Sequence, residues 1–206
     1  QRFTDAFPTV HDLAEAERDA VLQQWEGLGY YSRARYLHEA AQTVVNEHGG
    51  TVPSTYDGLK SLKGIGPYTA AAVASIAFGK AHGVLDGNVI RVLTRVFAIE
   101  EDSTRSRTRR RLHALADALV DPDDPGNANQ ALMELGATVC TPRNPSCDAC
   151  VLEPVCEAAE AGNPERYPVT PESKPVPHHD IAVGLVFDAE GRLLIQRRPD
   201  DAMLGG

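Results

Sequence analysis

All four cysteines of this 206-residue chain fall in one window of 17 residues, spaced Cys140-x6-Cys147-x2-Cys150-x5-Cys156. Cysteines that staple a small secreted domain are dispersed along it behind a signal peptide, whereas thiols confined to one loop read as metal ligands. Four thiolates with no histidine between them suit either a 4Fe–4S cluster or a structural zinc ion, and argue against harder metals. Whatever precedes Cys140 is then expected to end on a metal-stapled loop, in an intracellular, cytoplasmic setting. No signal-peptide pattern opens the chain, and no apolar run approaches the ~20 residues of a membrane helix, so no membrane partner is expected. The chain begins at Gln1 without a methionine and stops at Gly205-Gly206 in mid-pattern; it reads as a fragment cut at both ends.

Hydrophobic residues make up 42% and charged residues 24%, enough to bury a sizeable core. The formal charge of −9 works against nucleic-acid binding as a whole-molecule property. It leaves room for a locally basic site.

From Val10 to about Val155 the apolar pattern is helical. Asp12 and Glu15 form a capping-box pair ahead of Leu13, Val21, Leu22 and Trp25. A helix runs from about Ser32 through Val45 until Gly49-Gly50 stops it, and a short helix from Pro53-Ser54-Thr55 passes Leu59 and Leu62. After Lys63-Gly64-Ile65-Gly66-Pro67 comes an alanine-rich helix to Phe78, with Pro67 suited to its first turn. Asp86-Gly87 opens a helix with apolar positions Val89, Val92, Leu93, Val96 and Phe97, and two more follow around Leu112–Leu119 and Ala128–Val139. Five prolines between Asn163 and Pro177 read as an extended linker. The period then changes: Ile181–Phe187 and Arg192–Gln196 are strand-like, joined by the hairpin signal Asp188-Ala189-Glu190-Gly191. The expected fold class is mainly α, followed by the truncated start of an α/β domain. The expected divisions are 1–139, a cysteine loop at 140–156, a Pro-rich linker at 157–177 and the start of a second domain at 178–206.

Leu62-Lys63-Gly64-Ile65-Gly66-Pro67-Tyr68-Thr69-Ala70 joins two helices through a tight turn. Glycines at 64 and 66 let the backbone approach another molecule with no Cβ in the way. The turn feeds a helix N-terminus whose N–H groups form an anion site suited to a DNA phosphate; an ordinary helix–helix turn is the alternative. The nonapeptide resembles the helix-hairpin-helix of the DNA-repair glycosylase superfamily that includes endonuclease III. One helix downstream, Val84-Leu85-Asp86-Gly87-Asn88-Val89-Ile90-Arg91-Val92 looks like that superfamily's catalytic-aspartate motif, although Asp86 alone is also a plausible helix N-cap. The cysteine spacing matches the cluster loop of endonuclease III and the MutY-type adenine glycosylases, which puts iron–sulfur ahead of zinc.

Within the superfamily, the position before Thr69 is the lysine of endonuclease III that forms a Schiff base with the sugar. Here it is Tyr68, which cannot form that bond; Lys63 occupies a turn position where the family usually has proline and does not replace it. Trp25-Glu26-Gly27-Leu28-Gly29-Tyr30-Tyr31 is similar to the tyrosine-pair segment of the MutY type, in which the first tyrosine, here Tyr30, wedges beside the damaged guanine; core or cap aromatics are the alternative. Asn129-Gln130-Ala131-Leu132-Met133-Glu134-Leu135-Gly136 also reads like that family, and Gly184–Phe187 with Leu193–Pro199 resembles the opening of its NUDIX-like C-terminal domain.

The resemblance implies a monofunctional glycosylase of base excision repair that hydrolyses the N-glycosidic bond of adenine opposite 8-oxoguanine or guanine. It implies a monomer acting on double-stranded DNA in the cytoplasm of a prokaryote, at the nucleoid. It assigns Asp86 and Tyr68 to catalysis and Tyr30, Leu62, Gly64, Ile65, Gly66, Thr69 and Asn88 to DNA or to holding Asp86. One 4Fe–4S cluster falls to Cys140, Cys147, Cys150 and Cys156, and a monovalent cation to the hairpin. The family's general acid is a glutamate on a helix upstream of Gln1, and neither Glu26 nor Glu39 matches it, so the piece alone is expected to be nearly inactive. A bifunctional endonuclease III-type glycosylase/AP lyase and a non-catalytic helix-hairpin-helix DNA-binding module are the competing readings. Arg105, Arg107, Arg109, Arg110 and Arg111 form the only basic run, read as a solvated face with a DNA or partner contact as the alternative.

Overall fold

The computed structural model describes residues 1–172, 177, 178, 180, 182–196 and 199. The chain divides into two compact units, Gln1–Pro171 and Glu172–Gly206. The first is helical: α1 (Arg2–Ala6), α2 (Val10–Glu15), α3 (Arg18–Gln24), α4 (Tyr31–His48), α5 (Tyr56–Ser61), α6 (Pro67–Phe78), α7 (Gly87–Val96), α8 (Ser106–Leu119), α9 (Pro125–Thr138) and α10 (Glu157–Glu160), with short 3-10 turns at Cys147–Ala149, Glu153–Val155 and Pro164–Arg166.

The first expected helix is two. Ala16 and Glu17 have extended backbone between α2 and α3. The capping box lies one turn earlier than the sequence suggests: the Thr9 hydroxyl accepts from Asp12 N–H (3.2 Å), and Asp12 accepts from Thr9 N–H (2.9 Å). Threonine at N-cap with a carboxylate at N3 satisfies two orphan donors, which Asp12 paired with Glu15 would not.

α7 is the spine. Val89, Ile90, Val92 and Leu93 are buried along it, and Val89, Ile90 and Leu93 join Leu85, Ile99, Leu112 and Ala116 in one core cluster. It packs against α8, α9 and α10, while α6 packs against α5 and α9. Small residues permit these approaches: Ala70 and Ala74 of α6 are buried, and Gly136 of α9 lies so close to α7 that a Cβ there would fall 2.6 Å from Asn88 Cβ. On α8, Arg111 pairs with Glu101 (3.0 Å), and at its N-cap Arg105 pairs with Asp102 (3.5 Å); both arginines are exposed. Such pairs contribute little to stability.

Residues 163–169, which their prolines assign to a linker, are bound to the helical unit. Tyr167 is buried, its carbonyl accepts from Arg95 Nε (3.2 Å), and the Val169 carbonyl accepts from Ser103 N–H (2.9 Å). Positions 173–176 of the linker reading lie outside the described residues, as do Ile181 of the first strand-like run and Arg197 and Arg198 of the stretch that resembles a NUDIX-like opening.

The second unit holds a single antiparallel bridge, Phe187 with Leu193, and no strand among its described residues. The expected turn is present: Asp188 accepts from Arg192 N–H (2.8 Å) and Leu194 N–H reaches the Val186 carbonyl (2.8 Å). Val183 and Ile195 are 80% and 83% exposed.

Candidate functional site

The hairpin is set by backbone geometry. Leu62 ends α5, the Ile65 N–H returns to the Leu62 carbonyl (3.1 Å), and Gly64 has φ +79°. A Cβ on Gly64 would lie 2.5 Å from Tyr36 Cβ, so both the turn and the contact with α4 require glycine. Leu62 is buried with Ala40 and Val44, and Ile65 packs beside it. These two side chains anchor the hairpin; what they offer a ligand is backbone. Gly66 provides no side-chain cap and Pro67 occupies the first turn of α6, leaving the Tyr68 and Thr69 N–H groups at the free helix end.

Between the hairpin and the start of α4 lies a cleft lined by Trp25, Tyr30, Tyr36, Tyr68 and Thr69. Tyr30 is 78% exposed and left-handed (φ 47°), so it stands out of the fold at the N-cap of α4 rather than in the core. The Arg33 guanidinium lies 5.4 Å from its ring centroid, and Trp25 Nε1 donates to the Gly29 carbonyl (2.9 Å), fixing the loop before it. Tyr68 is also exposed.

Asp86 is the N-cap of α7 and half-buried. Its Oδ1 accepts from Val89 N–H (2.7 Å) and its Oδ2 from Asn88 Nδ2 (3.1 Å). Capping and a chemical role are therefore compatible: the helix end and the amide orient the carboxylate while part of the residue stays accessible. Asn88 holds Asp86 and in turn accepts from Arg91 Nη2 (2.8 Å).

Arg91 and Arg95, neither of them marked as functional by the sequence, join this site to the cysteine loop. Arg91 donates from Nη2 to the Gly136 carbonyl (2.6 Å) and from Nε to the Cys140 carbonyl (2.7 Å). Burial pushes its pKa below the ordinary value; neighbouring Arg95 acts the same way, with Cys140 and Asp86 opposing. Arg95, 1% exposed, donates to the carbonyls of Thr141 (2.8 Å) and Pro142 (3.1 Å) and to Cys140 Sγ (3.3 Å). The two arginines, at i and i+4, share their face of α7 with Asn88 and Thr94, so no apolar pattern marks them as buried. Two cations there need acceptors, and the carbonyls of a packed loop are the usual source.

The four cysteines line one cavity floored by apolar side chains of α7 and α9. Among the described residues no three Cys, His, Asp or Glu side chains form a group able to hold a metal ion. Four thiols around one cavity are a donor set that suits either an iron–sulfur cluster or a zinc ion. Burial and the other three thiols push the Cys147 thiol above its ordinary pKa, a repulsion that a bound metal cation would offset.

A family profile described as "HhH-GPD superfamily base excision DNA repair protein" matches residues 1–139. Adenine DNA glycosylase of Rattus norvegicus is 51% identical over 84% of this chain and 34% of its own length, and that of Homo sapiens 54% identical over 75% and 28%. The Arabidopsis thaliana protein of the same name is 39% identical over the whole chain and 38% of its length. The chain thus spans about a third of the curated relatives it matches. A thermostable thymine-DNA glycosylase superposes with a TM-score of 0.70 at 31% identity, over 77% of this chain and 73% of its own. Endonuclease III in a non-covalent DNA complex gives 0.66 at 23% over 78% and 74%, a likeness of fold. By the profile, the chain belongs to the HhH-GPD superfamily of base excision DNA repair proteins.

Proposed function

We propose that this chain carries the base-excising core of a monofunctional adenine DNA glycosylase, acting on double-stranded DNA with adenine opposite 8-oxoguanine or guanine. The observation that carries the reading is the Asp86 carboxylate, oriented through both oxygens at the head of α7, in a chain whose hairpin bears Tyr68 at the position of the Schiff-base lysine. Relatives named adenine DNA glycosylase support the choice of base.

Breaking the N-glycosidic bond puts positive charge on the sugar and negative charge on the departing adenine. Asp86 is an anion held in place by Val89 N–H and Asn88, so it stabilises the sugar cation without reorganising. Water adds at C1′, and a proton goes to the adenine from a general acid that none of the residues assigned here supplies. Tyr68 offers a hydroxyl and no amine, so the reaction ends at an abasic site with the strand intact. Tyr30, exposed at the cleft, fills the gap left by the extruded base. Gly64, Gly66 and Thr69 hold a phosphate through backbone N–H groups, Leu62 and Ile65 anchor the turn that presents them, and a monovalent cation at the turn's carbonyls belongs to the same proposal.

Cys140, Cys147, Cys150 and Cys156 would hold a 4Fe–4S cluster, which when bound cross-links the loop after α9 as a structural staple. Residues from His178 onward belong to a second, NUDIX-like domain in this reading, and the protein works as a monomer in the cytoplasm.

The test is single-turnover cleavage by the full-length protein on duplexes with A opposite 8-oxoguanine, scored with and without hot alkali, for wild type and Asp86→Asn. Breaks that need alkali and vanish in the variant support the reading. Breaks without alkali make the protein a lyase, and binding with no base release makes it a DNA-binding module.

A further inference from the structure

The hairpin's first turn residue is Lys63, where the resembled family usually carries proline. Proline there would stiffen the turn and contribute no charge. Lys63 instead places its ammonium 5.5 Å from the centroid of the Tyr36 ring and forms no ion pair among the described residues. The same tyrosine seats the hairpin, since its Cβ and ring atoms fill the space beside Gly64. One α4 side chain therefore fixes the turn's backbone and steers the neighbouring cation. Lys63 and Arg33 both line the cleft, each over a tyrosine of α4 or its N-cap, and no carboxylate lines it. In a chain of net charge −9 with 29 acidic residues, that is a selective clearing of negative charge.

We propose that Lys63, presented by Tyr36, is a phosphate-binding residue that adds an ionic contact to the hairpin's grip on a DNA strand. The proposal rests on the reading of the hairpin as a DNA contact. Backbone N–H groups and a helix end hold a phosphate as dipoles, without neutralising it. A lysine ammonium neutralises it and releases a condensed counterion, which leaves a thermodynamic signature that a merely structural side chain does not. The Tyr36 ring keeps the flexible stem near the turn, so less freedom is lost on binding.

The experiment measures duplex affinity of the full-length protein by fluorescence anisotropy over a series of salt concentrations. The probe is a labelled duplex carrying a non-cleavable adenosine analogue opposite 8-oxoguanine. Lys63→Gln should bind severalfold more weakly at physiological salt, with the slope of log K against log salt shallower by about 0.9. Tyr36→Leu should weaken binding while keeping the slope, and Tyr36→Phe, which retains the ring, should behave as wild type. A Lys63→Gln slope equal to wild type overturns the phosphate contact while leaving the hairpin's role in place. Unchanged affinity in Tyr36→Leu overturns the presenting role of the ring. Wild type that fails to bind the duplex overturns the DNA reading itself, and the Lys63 contact with it.

Discussion

Asp86 shows how one side chain serves fold and chemistry together, and how substitutions separate them. Its carboxylate caps α7 through Val89 N–H and is steadied by Asn88. Asparagine is as good an N-cap as aspartate, whereas alanine loses about 1 kcal/mol at such a position. Asp86→Asn should therefore keep a melting temperature near wild type and lose adenine release by at least ~10²-fold, as expected when a preorganised charge is removed from a transition state. Asp86→Ala should lose activity and also melt several degrees lower. Calorimetry beside single-turnover kinetics reads both, and equal activity in wild type and Asp86→Asn would remove Asp86 from the mechanism. The residue was legible because an Asp-Gly pair before an apolar helix marks a cap, and its surrounding string carries the resemblance. Arg91 and Arg95 were not. A lone arginine is by default a solvent residue, and what buries these two is the run of loop carbonyls from Gly136 to Pro142, a tertiary feature that no local pattern announces.

At the scale of elements, the crossing of α7 and α9 decides whether the carboxylate is held correctly. Gly136 allows α9 to approach Asn88, and Arg91 then ties Asn88 to the Gly136 and Cys140 carbonyls. Gly136→Ala places a methyl 2.6 Å from Asn88 Cβ and 3.0 Å from its carbonyl oxygen. The helices must part, at a cost of about 1–3 kcal/mol. Arg91→Leu leaves the buried Gly136 carbonyl and the part-buried Cys140 carbonyl without this donor, at about 1–3 kcal/mol for the buried one. Both variants should lower thermal stability, reduce iron bound per chain and slow excision together; full iron content and wild-type rate in Arg91→Leu would show that the loop and Asp86 are independent. The hairpin itself was readable from Gly64, Gly66 and Pro67, because positive φ and a helix start have residue-level signatures. The division of α2 from α3 was not, since no glycine or proline marks it and only the extended backbone at Ala16 and Glu17 does.

For the whole molecule, the boundary of the helical unit lies beyond where composition puts it. Prolines from Pro164 onward suggest a linker, yet Tyr167 is 5% exposed and the Val169 carbonyl is bonded by both the N–H and the hydroxyl of Ser103. Proline restricts the chain without deciding whether it runs in solvent or along a surface. Here the carbonyls preceding and following Pro168 supply acceptors that the end of α7 and the loop before α8 lack. The segment thus completes the ring of acceptors around Arg95, the guanidinium that also contacts Cys140 Sγ. Two truncations of the protein separate a linker from a structural strap. Ending the chain at Pro171 retains every one of these contacts, whereas ending it at Gly162 removes the Tyr167 side chain and strands Arg95 Nε and Ser103 N–H. Loss of a large buried aromatic costs about 3–5 kcal/mol before the unpaired donors are counted. The shorter chain should melt at least ~10 °C below the longer one at equal iron loading. Coincident melting curves would return residues 163–169 to the linker.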